Sequence, residues 1–316
     1  MVKKTGVIIL NYNNSQDTIN CINSFLAVNK EPYKIVVVDK GSRKEKFDVI
    51  KSFLEDKNCK LYEDSSSFED IHSNDFCLIV SKNNLGYANG NNLGISLLKN
   101  DKEIDKLLIV NNDVLFVDNI IKDLRAFEQE HNDAGIISPI LYTKGLKDFD
   151  YTCARKSPKD WILLFKYLFM DLATFHMSER IDSCCFLLKE NPDIIYNDSI
   201  KVDLPSGSCM FIDKELFCSI DSFDSNTFLY YEENILYKKL YAIGKQNYIL
   251  PSIRCIHLGA SSTKSKPSSF LIKCNSDSAF YYLENYCELN VVQKFLLVLA
   301  KKSMKIKYKL FKNREK

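Results

Sequence analysis

The sequence predicts an α/β fold: a mostly parallel sheet flanked by helices, with a helical extension at the C-terminal end. Three observations carry this reading. Four short runs of apolar and β-branched residues lie in the first 115 residues, helical patterns separate them, and residues 275–311 contain no Gly or Pro. Strands that alternate with helices call for right-handed crossovers, which leave neighbouring strands parallel.

The elements follow in order. Residues 6–10 form a first strand ending on polar Asn11. Ser15–Val28 repeats apolar positions at Ile19, Ile22, Phe25 and Leu26, the spacing of one helix face. Strands are expected at 34–39, 76–80 and 107–111, with a helix over 89–100 that carries Leu93, Ile95, Leu97 and Leu98. Ile120–Glu130 reads as a helix and 136–141 as a strand. The order loosens over 142–200, where the apolar segment 161–170 has no identifiable partner, and a second ordered block covers 202–262. Roughly 275–311 reads as helical.

Composition narrows the function classes. The chain has 316 residues, 46% of them hydrophobic, enough to bury one large core or two fused smaller ones. A net charge of +2 provides no field of the kind that nucleic-acid binding requires. Residues 301–316 nevertheless hold eight Lys/Arg against one Glu, so the basic charge is gathered in the tail. The 11 cysteines include no CxxC pair, which fits reduced thiols better than a zinc site or a disulfide framework. The N-terminal apolar stretch is too short for a signal peptide, and no run reaches the length of a spanning helix. The expected location is therefore the cytoplasm.

In a parallel sheet, ligands sit beyond the carboxyl ends of the strands. The polar clusters there are Asn11-Tyr12-Asn13, Asp39-Lys40-Gly41-Ser42 and Asn111-Asn112-Asp113. One carboxylate at Asp113 suffices for a Mg²⁺ completed by water and phosphate, although a strand-end Asp also reads as a turn or helix cap. Asp39 reads either as a nucleobase contact or as the closure of a turn with Gly41 and Ser42. The loop Asn84-Leu85-Gly86-Tyr87-Ala88-Asn89-Gly90-Asn91-Asn92 suits close backbone approach to a ligand, or an ordinary strand-to-helix turn. It is not GxGxxG, and no GxxxxGK[ST] occurs, so two nucleotide-binding classes lose support. Glu232 and Glu233 stand beside Phe228, Tyr230 and Tyr231 ahead of a helix over 235–242. A carboxylate in such a setting serves as a general base, or simply favours the helix N-terminus. His257 after a strand reads as structural or as a ligand.

Taken in order, these blocks resemble family 2 glycosyltransferases of the GT-A type, the bacterial surface-polysaccharide and rhamnosyltransferase-like kind. The run extends over residues 5–262 and adds Leu204-Pro205-Ser206-Gly207-Ser208-Cys209-Met210-Phe211-Ile212 and Ile256-His257. The resemblance implies a Rossmann-like sheet with a nucleotide-sugar-binding half over 1–115, an acceptor-binding and catalytic half over 116–265, and a basic helical extension over 266–316. It also implies residue roles. Asp39 contacts a pyrimidine, Asn11, Tyr12 and Asn13 line the nucleotide pocket, and the loop with Asn84, Gly86 and Asn91 packs against the nucleoside. Asp113, next to Asn112, is the last acid of a DxD-type motif whose first position is Asn111, and His257 completes the metal or phosphate site. Gly207 and Ser208 line the sugar and acceptor pocket. Glu233 falls on the position of the general base where the family has Asp, which leaves the base between Glu233 and Glu232.

The expected activity is inverting transfer from a nucleotide-diphosphate sugar, a thymidine- or uridine-diphosphate hexose, to a glycan or lipid-linked acceptor. The expected cofactor is Mg²⁺ or Mn²⁺, and the expected role is assembly of a surface glycan such as capsule or O-antigen. A non-catalytic nucleotide-sugar-binding protein is the rival that Asn111 and the altered acidic pair suggest. A pyrophosphorylase-like nucleotidyltransferase lacks its Gly-rich N-terminal loop here, and a dehydrogenase lacks its glycine fingerprint. In the tail, Val292, Phe295, Leu299, Ile306 and Leu310 fall near one helix face, with Lys301, Lys305, Lys309 and Lys312 on another. Such a helix suits peripheral contact with the inner face of a plasma membrane, or docking on the protein itself.

Overall fold

The computed structural model of the protein describes residues 3–64, 68, 74–169, 185–259 and 268–314. Strands β1 (Lys4–Asn11), β2 (Tyr33–Lys40), β3 (Lys60–Glu63), β4 (Phe76–Ser81) and β5 (Ile104–Asn111) are parallel and stand in the order β3-β4-β2-β1-β5. The chain steps outward from β1 on one side and returns to its other side with β5. That reversal makes the β1/β5 edge the place where a crevice opens.

Beyond β5 the sheet takes in β11 (Cys209–Asp213), β7 (Ala134–Tyr142), β12 (Gln246–His257) and β6 (Val114–Phe116), with β9 (Ile200–Val202) also paired to β12. β11 runs antiparallel to β5 and β7, while β7 and β12 are parallel. A small ribbon of β8 (Ala154–Arg155) and β10 (Leu204–Pro205) lies apart from the sheet.

Strand residues alternate between two cores. Val7, Ile9, Ile35, Val37, Leu108 and Val110 face α1 (Ser15–Val28), α2 (Lys44–Glu55) and α4 (Ile120–Glu130). Ile8, Leu10, Val36, Val38, Leu107 and Ile109 face α3 (Ala88–Lys99), α7 (Lys214–Ser219) and α8 (Glu232–Ala242). Both faces are covered, so these strands read as continuous apolar runs. The expected strands and helices of the first 141 residues all lie within or across these elements. The sequence reading did not contain α2, which buries only Ile50 and Leu54, too thin a stripe to stand out. Among the described residues the cysteines are free.

The apolar segment 161–170 finds its partner at the other end of the chain. α5 (Asp160–Phe169) follows the β8 strand, and the short α6 (Leu187–Glu190) precedes β9; Met170 lies outside the described residues. Leu163, Leu164 and Tyr167 of α5 pack with Ile272, Phe280 and Leu283 of α9 (Ser268–Asn285) and with Leu297, Ala300 and Met304 of α10 (Val291–Arg314). The expected helical stretch is thus two helices. α10 starts on a capping box: Asn290 N–H donates to Gln293 Oε1 and Gln293 N–H to Asn290 Oδ1, each at 2.9 Å. Residues 260–262 of the expected second block lie outside the described residues.

Candidate active site

The carboxyl ends of β1, β2 and β5 come together as the parallel register requires, with Asn11 opposite Asp39 and Leu10 opposite Asn111. Asn11 is buried, and its Nδ2 donates to Asp39 Oδ2 at 2.7 Å while its Oδ1 accepts from Thr18 Oγ1 at 2.7 Å. The other oxygen of Asp39 accepts from Ser42 N–H at 3.0 Å. Thr18 also accepts from Asn112 Nδ2 at 3.0 Å, so α1 ties the β1 and β5 ends into one network. Asn13, in a left-handed conformation, accepts from Arg43 N–H through its side chain at 2.7 Å. Tyr12 is half-buried at the same edge.

The turn after β5 brings Asp113 beside His257 at the end of β12. Asp113 Oδ1 lies 3.6 Å from His257 Nε2, and main-chain Leu258 N–H donates to Asp113 O at 2.9 Å. The far ring nitrogen, Nδ1, lies 2.6 Å from Asp150 Oδ2. Burial by itself would lower the His257 pKa, but the carboxylates of Asp113 and Asp150 overcome that and raise it to about 9. Among the described residues no cluster of three or more His, Cys, Asp or Glu converges as a metal site. Asp113 and Ser208 lie beside His257 Nε2, and Asp150 holds the ring from behind, an arrangement also found around metal-bound histidines. An oxygen and a nitrogen donor, with phosphate and water to complete the shell, fit Mg²⁺ or Mn²⁺.

Glu232 and Glu233 reach the site through a strained turn. Tyr230 and Tyr231 take consecutive positive φ angles of 74° and 68°, a region that non-glycine residues seldom occupy. The turn is braced by the loop before α3: Tyr87 N–H donates to Phe228 O at 2.9 Å. Gly86, at φ +75°, sits so close that a Cβ would meet Phe228 O at 2.3 Å. Its glycine is thus required by the protein's own backbone. Tyr87 OH then donates to Gly207 O at 2.6 Å, and Gly207 N–H donates to Glu233 Oε1 at 3.0 Å. Arg155 Nη2 lies 3.5 Å from the same oxygen. Glu232 is buried, and its Oε1 has no hydrogen-bond partner among the described residues. Burial, followed by the charge of Glu233, pushes its pKa up to about 8, with Lys40 opposing. Lys40 is itself lowered to about 8 by burial and donates to Gly86 O at 3.0 Å.

These groups enclose a cavity of about 180 Å³ lined by Tyr87, Asn111, Gly207, Ser208, Glu232 and Glu233 among others. Ser208 stands at the β5 end of this cavity, its Oγ 3.2 Å from His257 Nε2 and 3.4 Å from Asn111 Nδ2. Asn84 and Asn91 are engaged within their own loop: Asn84 Oδ1 accepts from Gly86 N–H and Asn91 Nδ2 donates to Tyr87 O. Sequence reasoning did not single out Asp150, Arg155 or Thr18. An Asp-x-Thr turn marks Asp150 locally, but nothing in the sequence pairs it with a histidine 107 positions away.

A sequence profile described as Glycosyl transferase family 2 matches residues 6–192. The low-salt glycan biosynthesis hexosyltransferase Agl10 of Haloferax volcanii is 27% identical over 234 residues, 74% of this chain and 60% of that protein. The chain thus spans about three-fifths of the length of this curated relative. The structure of GalNAc-T7 with UDP, GalNAc and Mn²⁺ superposes with a TM-score of 0.58 and 13% identity, over 96% of this chain and 56% of that one. The structure of S. aureus TarS does so with a TM-score of 0.50 and 15% identity, over 93% of this chain and 42% of that one. At such identities the likeness is one of fold.

Proposed function

The chain belongs to glycosyl transferase family 2 and has the GT-A fold, and from that premise we propose that it moves a hexose from a nucleotide-diphosphate sugar to a hydroxyl of a glycan or lipid-linked acceptor, inverting the anomeric centre. One observation carries the reading. Two consecutive residues connect the base to the phosphate end of the site: Gly207 N–H holds Glu233 at 3.0 Å, and Ser208 Oγ lies 3.2 Å from His257. A bound Mg²⁺ or Mn²⁺, held by Asp113 and His257, would supply charge neutralisation for the departing nucleotide diphosphate.

Glu233 accepts the proton of the acceptor hydroxyl, whose oxygen forms the new bond to the anomeric carbon as the bond to the diphosphate oxygen breaks. A single displacement from the opposite face inverts the centre. Gly207 N–H and Arg155 fix one Glu233 oxygen, leaving the other for the proton. Glu232, with a pKa of about 8, stays protonated at neutral pH and adds no second negative charge beside the base. Asp39, held by Asn11 and Ser42, is the proposed pyrimidine contact, with Tyr12, Asn13 and the 84–92 loop around the nucleoside. Residues 1–115 are correspondingly assigned to the donor, 116–265 to acceptor and catalysis, and 266–316 to the basic helical extension.

The test is a hydrolysis screen of uridine- and thymidine-diphosphate hexoses with and without Mg²⁺ or Mn²⁺. Metal-dependent release of nucleotide from at least one donor is expected. Donor binding with no release under any condition would favour the non-catalytic binding protein.

The extension is assigned to an anionic membrane surface. No helix of the described residues is long and apolar enough to cross a membrane. α10 turns Leu297, Ala300 and Met304 inward yet leaves Phe295 63% and Ile306 62% exposed, with Lys302, Lys305 and Lys309 exposed on the same helix. The side chains of Leu310 and Lys312 lie outside the described residues. Each Lys near an anionic surface contributes about 1 kcal/mol. The protein is expected to co-sediment with vesicles containing phosphatidylglycerol and to be released by salt, and a Lys302→Glu, Lys305→Glu, Lys309→Glu variant is expected to stay in solution. Equal sedimentation of the two proteins would remove the assignment.

A further inference from the structure

The turn that carries Glu232 and Glu233 is held from outside the sheet. Tyr230 and Tyr231 keep positive φ angles of 74° and 68°, and a backbone of that kind persists only where its surroundings over-determine it. Part of the restraint is the loop before α3, through Gly86 and Tyr87. The rest comes from α5 and α9. Tyr231 and Ile235, at the start of α8, are buried in one cluster with Leu163 and Leu164 of α5 and Phe280 and Leu283 of α9.

A short polar relay runs through that apolar cluster. Tyr167 OH of α5 donates to Asn275 Oδ1 of α9 at 2.5 Å, and the Tyr231 OH, 3.1 Å from the Tyr167 oxygen, is placed to donate to it. Hydrogen bonds in such surroundings are strong and directional, so the relay fixes where the Tyr231 ring sits. Tyr231 O in turn accepts from Ile235 N–H at 3.0 Å, in the first turn of α8. The chain just upstream is tied to α9 as well. Ser278 Oγ donates to Leu229 O at 2.9 Å, and Tyr281 OH donates to Asp224 Oδ2 at 2.9 Å, joined there by Tyr286 OH. Asn275 lies beyond residues 6–192, the span of the family match, so this half of the restraint belongs to the helical extension.

We infer that Tyr167 is a positioning residue of the active site: with Asn275 it holds Tyr231, and through Tyr231 the turn that aims Glu232 and Glu233 into their cavity. Its effect on turnover rests on the reading of Glu233 as the base. Glu233 keeps its place through the 3.0 Å bond from Gly207 N–H, and a turn that relaxes at Tyr231 swings the first turn of α8 away from that donor. Asp39, Asp113 and His257 stand at the ends of other strands, so donor binding is independent of the relay.

The test compares Tyr167→Phe with Tyr282→Phe in the full-length protein. Tyr282 is the matched control, because its hydroxyl is buried in the same cluster and makes no hydrogen bond to the turn. For Tyr167→Phe, kcat of metal-dependent nucleotide release is expected to fall about tenfold or more, with KM and calorimetric donor affinity within about twofold of wild type. Hydrogen–deuterium exchange over residues 228–235 is expected to quicken about tenfold, while β1 and β5 exchange at the wild-type rate. Tyr282→Phe is expected to match the wild type in both. Asn275→Ala removes the acceptor at the half-buried end of the relay and is expected to move both readouts in the same direction, so the test survives if Tyr167→Phe fails to fold. The inference is overturned by wild-type kcat, by wild-type exchange over 228–235, by a loss of donor affinity that matches the loss of kcat, or by equal impairment of Tyr282→Phe. If the wild type releases no nucleotide, the donor reading fails by itself, and the exchange comparison still decides whether Tyr167 holds the turn.

Discussion

Glu233→Gln is expected to keep donor affinity and lose turnover by about 10²–10⁴. Glutamine preserves the volume, and its carbonyl oxygen still accepts the Gly207 N–H bond that places the side chain. It offers no basic oxygen for the acceptor proton. Steady-state kinetics with donor titrations separate the two quantities, and a variant with wild-type turnover would exclude Glu233 as the base. Glu232→Gln supplies the contrast. Glu232 holds its proton to a pKa of about 8, far above its ordinary 4.5, so across this window the unfolded chain is ionised while the folded protein stays protonated. The wild type therefore loses stability as pH rises from about 4.5 to about 8. The glutamine variant is free of that loss. Urea unfolding at pH 5 and pH 8 should show Glu232→Gln gaining on the wild type with rising pH while keeping much of its turnover. Loss of turnover in Glu232→Gln alone would move the base by one residue.

The sheet was legible because its strands are buried on both faces. Val7-Ile8-Ile9-Leu10 and Ile35-Val36-Val37-Val38 feed two cores at once, and such runs stand out without any partner being known. The carboxyl-edge residues followed from the same pattern, since parallel strands end together. What stayed hidden was whatever depends on distant pairing or weak amphipathicity. Asp150 meets His257 across 107 positions, and Arg155 reaches Glu233 from the β8–β10 ribbon, two residues per strand and too short to register as strands. The glycines of the 84–92 loop were visible, but not their reason: Gly86 makes room for Phe228 O, which sets the turn that aims the two glutamates. The break between α9 and α10 was written in the sequence as Asn290…Gln293, a capping-box signal outweighed by a helical pattern on both sides.

Asp113→Ala is expected to abolish transfer and to weaken metal-supported donor binding by about 10² or more. Asp113 stands in the turn between β5 and β6, and among the described residues its carboxylate is the one negative charge facing His257 Nε2, at 3.6 Å. Asn111, at the first position of the motif, does not take over the charge, since it is a neutral amide whose Nδ2 reaches Ser208 Oγ at 3.4 Å. The turn itself should persist, because Leu258 N–H bonds to the main-chain oxygen of residue 113 and not to its side chain. The loss is thus expected in binding and turnover with little change in folding. Calorimetry of the productive donor with and without Mn²⁺ decides the matter. The wild type should bind donor more tightly with the metal, and the variant should show no such gain. A variant that binds donor and metal as the wild type does would remove Asp113 from the site. A wild type indifferent to metal would instead leave the diphosphate to the His257 imidazolium, which Asp150 holds charged from its far side.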